Sequence, residues 1–262
     1  MKMLETGLVS VSFRNLTPQR IVELAKQAEL DGIEWGGDVH VPAGDTETAR
    51  RVHELTQDAG LKVFAYGSYY RPGEQGVEEF APVLTCAKAL HAPVIRVWAG
   101  AKWSWRADEA YVRRVIADTQ SICDMAAAEG IAVSYEYHGW TLTDNRFSAT
   151  EVHREIGREN MALYWQPNFC LTEEENLLAL QMILPRMRDV HVFYWDCLGN
   201  RFPLKDAEAL WQKFVRIIRC DERPHRLMLE FFKDDSVDQF IQDAKTLNQL
   251  VNIDLKIWRE QS

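Results

Sequence analysis

Two glutamates stand where a glutamate is costly. Glu136 lies in the run Ser134-Tyr135-Glu136-Tyr137-His138, and Glu230 in Leu227-Met228-Leu229-Glu230-Phe231-Phe232. An acid inside an apolar strand loses hydration unless it is paired or holds a cation. The bland account of Glu136 is an ion pair with an arginine such as Arg96. The chemical account is acid–base work or metal ligation, and residue type and position favour it. Strand alternation places His138 on the same side as Glu136. His191, in Val190-His191-Val192-Phe193-Tyr194-Trp195-Asp196, is a third candidate. A lone histidine in an apolar strand is more often a satisfied core group than a ligand, so its case rests on the company it keeps. Asp196 is a ligand, a partner to one, or a turn residue. Gln166, in Trp165-Gln166-Pro167-Asn168, offers an uncharged amide oxygen to a hard cation, or equally a backbone hydrogen bond before a proline.

Candidate substrate contacts surround these groups. In Glu34-Trp35-Gly36-Gly37-Asp38-Val39-His40 the glycines permit close approach of a ligand, with Glu34 and His40 flanking them. Arg96 and Trp98 follow a similar logic, with packing or a salt bridge as the alternative. Tyr66, Trp98 and Trp195 belong to a larger set of aromatics that gather after apolar runs. Such faces suit the C–H face of a sugar ring, or simply fill loop gaps.

All of these residues need one scaffold. Eight short apolar runs recur: 7–11, 32–35, 61–66, 94–98, 131–137, 162–165, 190–195 and 226–231. Several are continuously apolar, as strands buried on both faces are. Helix signals lie between them. Thr17-Pro18 is an N-cap followed by proline at the first helical position. Ser148 with Glu151, Thr172 with Glu175, and Ser236 with Gln239 read as capping boxes. Phe240, Ala244, Leu247 and Val251 share one helical face, as Tyr111, Val115, Ile122 and Met125 nearly do. Gly130 stops that second helix. Eight strand–helix units close a barrel, and the fold expected is a single α/β domain, a (β/α)8 TIM barrel over residues 1–262. An open doubly wound sheet is the runner-up, but no Gly-x-Gly-x-x-Gly turn follows the first strand. In a closed barrel Glu136 and Glu230, far apart in sequence, meet at one rim. After Val251 only a short tail is expected.

The bulk properties narrow the classes. The chain has 262 residues and a net charge of -9, which argues against nucleic acid as the main partner. Its five cysteines form no Cys-x-x-Cys pair, so a reducing, cytoplasmic setting is expected rather than a disulfide framework or a thiolate zinc site. The first residues carry no apolar leader, and no run is long enough to span a bilayer.

The set of strand ends resembles the xylose isomerase-like TIM barrel superfamily, the sugar isomerase/epimerase and endonuclease IV-like group. Asp31-Gly32-Ile33-Glu34-Trp35 looks like that family's second strand, Glu136-Tyr137-His138 its Glu-x-His strand five, Val190-His191-Val192 its strand seven, and Leu229-Glu230 its strand eight. The resemblance implies one divalent metal held by Glu136, His191 and Glu230. The family's strand-six aspartate is replaced by Gln166, and Phe169 stands near the place of a family histidine. Weaker metal binding is the expected consequence. Oxygen and imidazole donors suit Mn2+, Mg2+ or Co2+. Such an ion polarises a sugar carbonyl and stabilises the enediolate formed on proton loss. Glu136 and Glu230 would remove and return that proton.

The expected activity is therefore isomerisation or epimerisation of a small carbohydrate or its phosphate. A dehydratase of a cyclic polyol or keto-inositol is a close alternative. A non-catalytic sugar-binding protein is a third reading, kept open by Gln166. An AP endonuclease ranks lowest, for want of a basic face and of enough histidines. Self-association is left open.

Overall fold

The computed structural model describes residues 2–252. Eight parallel strands form a closed barrel in sequence order. They are β1 (Leu4–Val9), β2 (Gly32–Gly36), β3 (Lys62–Gly67), β4 (Val94–Val97), β5 (Ala132–Tyr135), β6 (Met161–Trp165), β7 (Met187–Val192) and β8 (His225–Leu229). β8 closes on β1 with Gly7 opposite Met228. The helices are α1 (Pro18–Gln27), α2 (Thr46–Asp58), α3 (Phe80–Ala89), α4 (Glu109–Ala127), α5 (Arg146–Ile156), α6 (Glu173–Ile183), α7 (Glu208–Ile218) and α8 (Val237–Asn252). The single (β/α)8 barrel is the architecture the eight apolar runs imply. No described helix is long and apolar enough to cross a membrane.

Two hydrophobic layers hold the fold. The outer one lies between strands and helices and takes the apolar helix stripes: Phe240, Ala244, Leu247 and Val251 of α8 are buried, as are Tyr111, Val115 and Ile122 of α4. The inner one fills the barrel with Val9, Phe64, Val94, Tyr164 and Met228. Gly7 and Gly32 make room for the Phe64 ring. A Cβ at either would lie 2.7 or 2.6 Å from a carbon of that ring. Period-2 alternation on each strand then decides which side chains enter the barrel above this plug.

Most local signals match the structure, and two elements differ. Thr17 caps α1 with Pro18 in its first turn, and Thr172 with Glu175 forms a full capping box on α6. Ser236 accepts from the Gln239 N–H at the start of α8. Ser148 does not cap α5. Asn145 takes that place, accepting from the Phe147 and Ser148 N–H groups, and the Ser148 hydroxyl donates to the Leu142 carbonyl. The first strand begins at Leu4, and Ser10–Phe13 is a 3-10 turn rather than strand. The tail expected after Val251 lies outside the described residues from residue 253 on.

One buried acid makes stability depend on pH. Asp243 of α8 accepts from the Leu204 N–H and from Gln239 Nε2, both at 2.8 Å. Burial pushes its carboxyl up to about 6, and those two bonds only partly oppose it. The folded value lies above the unfolded one, so the contribution is full below about pH 4 and is lost as pH rises through 6. Asp243→Asn is therefore expected to flatten the stability difference between pH 5 and pH 8, by about 1–3 kcal/mol in urea titrations. An unchanged pH profile in the variant would remove Asp243 as its source.

Candidate active site

The barrel's polar residues converge at the C-terminal ends of the strands. Glu34 comes from β2, Arg96 from β4 and His191 from β7. Glu136, Gln166 and Glu230 each follow the last residue of β5, β6 and β8. The backbone fixes these ends. The Glu136 N–H donates to the Val97 carbonyl, and that of Glu230 to the Val192 carbonyl. Just beyond, Phe231 adopts a left-handed backbone with φ 50° and donates its N–H to Ser12 Oγ. A bulky residue resists that conformation, so the turn after Glu230 is held against local preference.

Arg96 organises the floor of the site. Its Nε donates to Glu34 Oε1 at 2.7 Å, and its Nη1 pairs with Glu136 Oε2. All three are nearly inaccessible to solvent. The other oxygen of Glu34 accepts from the Tyr164 hydroxyl at 2.8 Å and lies 3.5 Å from His191 Nε2. The opposite ring nitrogen, His191 Nδ1, faces three oxygens: Gln166 Oε1 at 3.1 Å, Glu230 Oε2 at 3.5 Å and Glu136 Oε1 at 3.6 Å. The ion pair with Arg96 and the chemical account of Glu136 thus coexist, because Arg96 takes one oxygen and the other faces His191.

The charges are unequal around this ring. Burial favours neutral carboxyls, but Arg96 and then His191 overcome it at Glu34, which is held down at about 2. Arg96 likewise lowers Glu136 despite its burial. Glu230 goes the other way. Burial raises it, and the charges on Glu136 and Glu34 add to the rise against the pull of His191 and Arg96. Burial opposes charge on His191, yet Glu230, Glu136 and Glu34 push the imidazole up to about 10. Three carboxylates therefore share one guanidinium, and the imidazole supplies the remaining positive charge.

A divalent cation fits this arrangement. Glu136, His191 and Glu230 each offer a ligand atom, all within 4.8 Å of one another. Metal–ligand bonds of about 2.1 Å put adjacent ligands roughly 3.0–3.4 Å apart. The distances from His191 Nδ1 to its three oxygens have nearly that spacing. Glu34 beside Nε2 favours a proton there, so an ion would take the place of the Nδ1 proton alone and leave the Nε2–H on Glu34. The donors are oxygen and nitrogen without sulfur, the set suited to Mn2+, Mg2+ or Co2+.

A cavity of about 380 Å³ adjoins the ring at Gln166, with His138 and Trp195 also in its wall. His138 stands 4.6 Å from the Trp98 ring, and the Arg71 guanidinium lies 3.9 Å over the same ring. His138 Nδ1 contacts the Gly139 carbonyl at 2.6 Å, which makes Nδ1 the donor and leaves Nε2 without a partner among the described residues. The indole N–H groups of Trp98 and Trp195 are buried without a hydrogen-bond partner among the described residues.

Four of the candidate substrate contacts sit elsewhere. Arg96 is buried in the floor, where Glu34 and Glu136 occupy its guanidinium, and it does not line the cavity. Glu34 lies wholly beneath the ring and touches Arg96, Tyr164 and His191 instead of the cavity. His40 is buried between Ser10 Oγ and the Leu16 carbonyl, because the chain after β2 folds back over β1. Tyr66 donates to the Val41 carbonyl and packs in the outer layer. Asp196 braces its own turn through the Leu198 and Asn200 N–H groups. Tyr164 is a site residue that sequence reasoning misses, although it lies on β6 two residues before Gln166, on the same side of the chain.

The profile of a family described as xylose isomerase-like TIM barrel matches residues 22–250. The chain belongs to that family. A 3-dehydroshikimate dehydratase of Bacillus anthracis is 23% identical over 92% of this chain and 95% of its own length. Among solved xylose isomerase-like folds, the probable 3-DHS dehydratase involved in petrobactin synthesis from Bacillus anthracis superposes with a TM-score of 0.79, at 21% identity over 95% of this chain and 99% of that one. A D-psicose 3-epimerase gives 0.73 at 14% identity over 94% and 99% of the two chains. An L-ribulose 3-epimerase gives 0.72 at 17% identity over 99% and 97%. The proteins with this fold thus include both dehydratases and epimerases.

Proposed function

We propose that the chain is a metal-dependent enzyme that removes a proton next to a carbonyl of a small, polyhydroxylated, carbohydrate-derived substrate and then expels water. The observation that carries this reading is the inequality of the two glutamates. Arg96 neutralises Glu136 and lowers its pKa, which makes it a poor base. Glu230 has no guanidinium partner among the described residues, so its carboxylate is the freer of the two to take a proton. One effective base favours elimination over epimerisation, which needs a base on each face. The similarity to a dehydratase over nearly the whole chain supports the same choice.

Glu230 Oε2 faces His191, so Oε1 is left for the substrate. That carboxylate takes the proton and returns it to the departing hydroxyl, which leaves as water. An ion held by Glu136, His191, Glu230 and Gln166 would act as a Lewis acid on the carbonyl. His138 Nε2 and the free indole N–H groups of Trp98 and Trp195 bind substrate oxygens. Trp195 also offers a ring face.

The test is product analysis. Keto-polyols, cyclic hydroxy-ketones including 3-dehydroshikimate, and ketohexoses are incubated with Mn2+-loaded protein. Loss of one water by mass supports the proposal. A new sugar of unchanged mass would replace dehydration with isomerisation or epimerisation. Binding without turnover would leave a sugar-binding protein.

Gln166 sets metal affinity in this reading. Gln166→Asp restores a charge to the ligand set and is expected to tighten Mn2+ binding at least about tenfold in calorimetry. Unchanged affinity would remove Gln166 from the ligands.

A further inference from the structure

Two exposed thiols meet at the mouth of the cavity. Cys170 follows β6 and Cys197 follows β7, and both belong to the cavity wall with Gln166 and Trp195. Each thiol reaches toward the other's loop. Cys197 Sγ donates to the Phe169 carbonyl at 3.2 Å, and Cys170 Sγ lies 3.9 Å from the Cys197 carbonyl.

Both positions are braced independently of the sulfurs. The Cys170 N–H donates to Asn168 Oδ1. Cys197 sits in the turn that Asp196 closes onto Leu198 and Asn200, across the bridge from Trp195 to Arg201. The other cysteines have no such neighbour: Cys86 and Cys123 are buried, and Cys220 is exposed after α7.

We propose that Cys170 and Cys197 form a redox-active dithiol site, oxidised by hydroperoxides to a reversible disulfide that fastens together the two loops carrying Gln166 and Trp195. The Cys197 thiolate attacks the peroxide, its S–O bond forms as the O–O bond breaks, and the displaced oxygen leaves as water or alcohol. Cys170 then displaces the sulfenic oxygen as a second water, and the S–S bond forms. Two electrons pass from the thiols to the peroxide. The neighbouring Cys197 raises the Cys170 thiol, in keeping with its second place in this order. The inference is independent of the reaction catalysed above.

The experiment treats the reduced full-length chain with hydrogen peroxide, alkylates the remaining thiols and maps the peptides. Alkylation of Cys170 and Cys197 is expected to fall at least about tenfold, with a cross-linked peptide joining them and the mass lower by two hydrogens. A thiol reductant restores both thiols. Cys170→Ser and Cys197→Ser each abolish the cross-link, while Cys220→Ser keeps it. Both serines are near-isosteric at exposed positions, and circular dichroism confirms their folding. Oxygen uptake at Cys170 or Cys197 without a cross-link would overturn the proposal. So would oxidation confined to Cys220.

Discussion

Glu230→Gln is expected to lower kcat by about 10³-fold on any substrate that the Mn2+-loaded protein dehydrates, the size of effect that loss of a positioned base produces. Glutamine keeps the side chain's shape and still offers an oxygen toward His191. It cannot accept a proton from carbon. Mn2+ binding should therefore weaken far less than turnover, and calorimetry on the same sample separates the two. Glu136→Gln is the informative contrast. It removes a ligand that Arg96 already neutralises, so its first effect is on metal affinity and only through that on rate. If Glu230→Gln kept full activity, the assignment of the base would be wrong.

The second large effect concerns stability. Arg96→Met is expected to destabilise the metal-free protein by about 3–5 kcal/mol, because Glu34 and Glu136 would remain buried without their cation. That is a large share of the stability of an ordinary domain. Lysine should not restore it, since one ammonium cannot match the fork that reaches both carboxylates. Arg96→Met with Glu34→Gln should recover part of the loss, because one unpaired charge has gone with its partner. Saturating Mn2+ should also recover part of it by binding the folded state alone. Urea titrations of the three proteins, with and without Mn2+, measure all of this. A cost below about 1 kcal/mol for Arg96→Met would mean that the carboxylates find other compensation.

Much of this site is legible in the amino-acid sequence. Glu136 and Glu230 are conspicuous because an acid in an apolar strand needs a reason, and the barrel brings both to His191. Gln166 can be placed by its distance from the end of β6. The identity of the partners is less accessible. Whether Arg96 pairs with Glu136 is settled by the closure of the barrel and not by local pattern. The Tyr164 hydroxyl on Glu34 joins residues 130 positions apart. The misplaced residues share one cause. His40 and Tyr66 lie just after or at the end of strands, and a rule that counts from strand ends sends them to the rim. The loop after β2 instead turns back over β1 and buries His40, while Tyr66 points to the outer layer. Ser148 has the right spacing to Glu151 for a cap, but Asn145 reaches the same free N–H groups three residues earlier. The pairing of Cys170 with Cys197 has no local signature, since it depends on two loops from neighbouring strands.

The most direct test of the central claim is metal stoichiometry. The purified chain is stripped with chelator, dialysed against Mn2+ and analysed for bound ion beside His191→Ala and Glu230→Gln. About one ion per chain is expected, abolished in His191→Ala and retained with weaker affinity in Glu230→Gln. No bound ion in a folded wild-type chain, or the same uptake by His191→Ala, would contradict it.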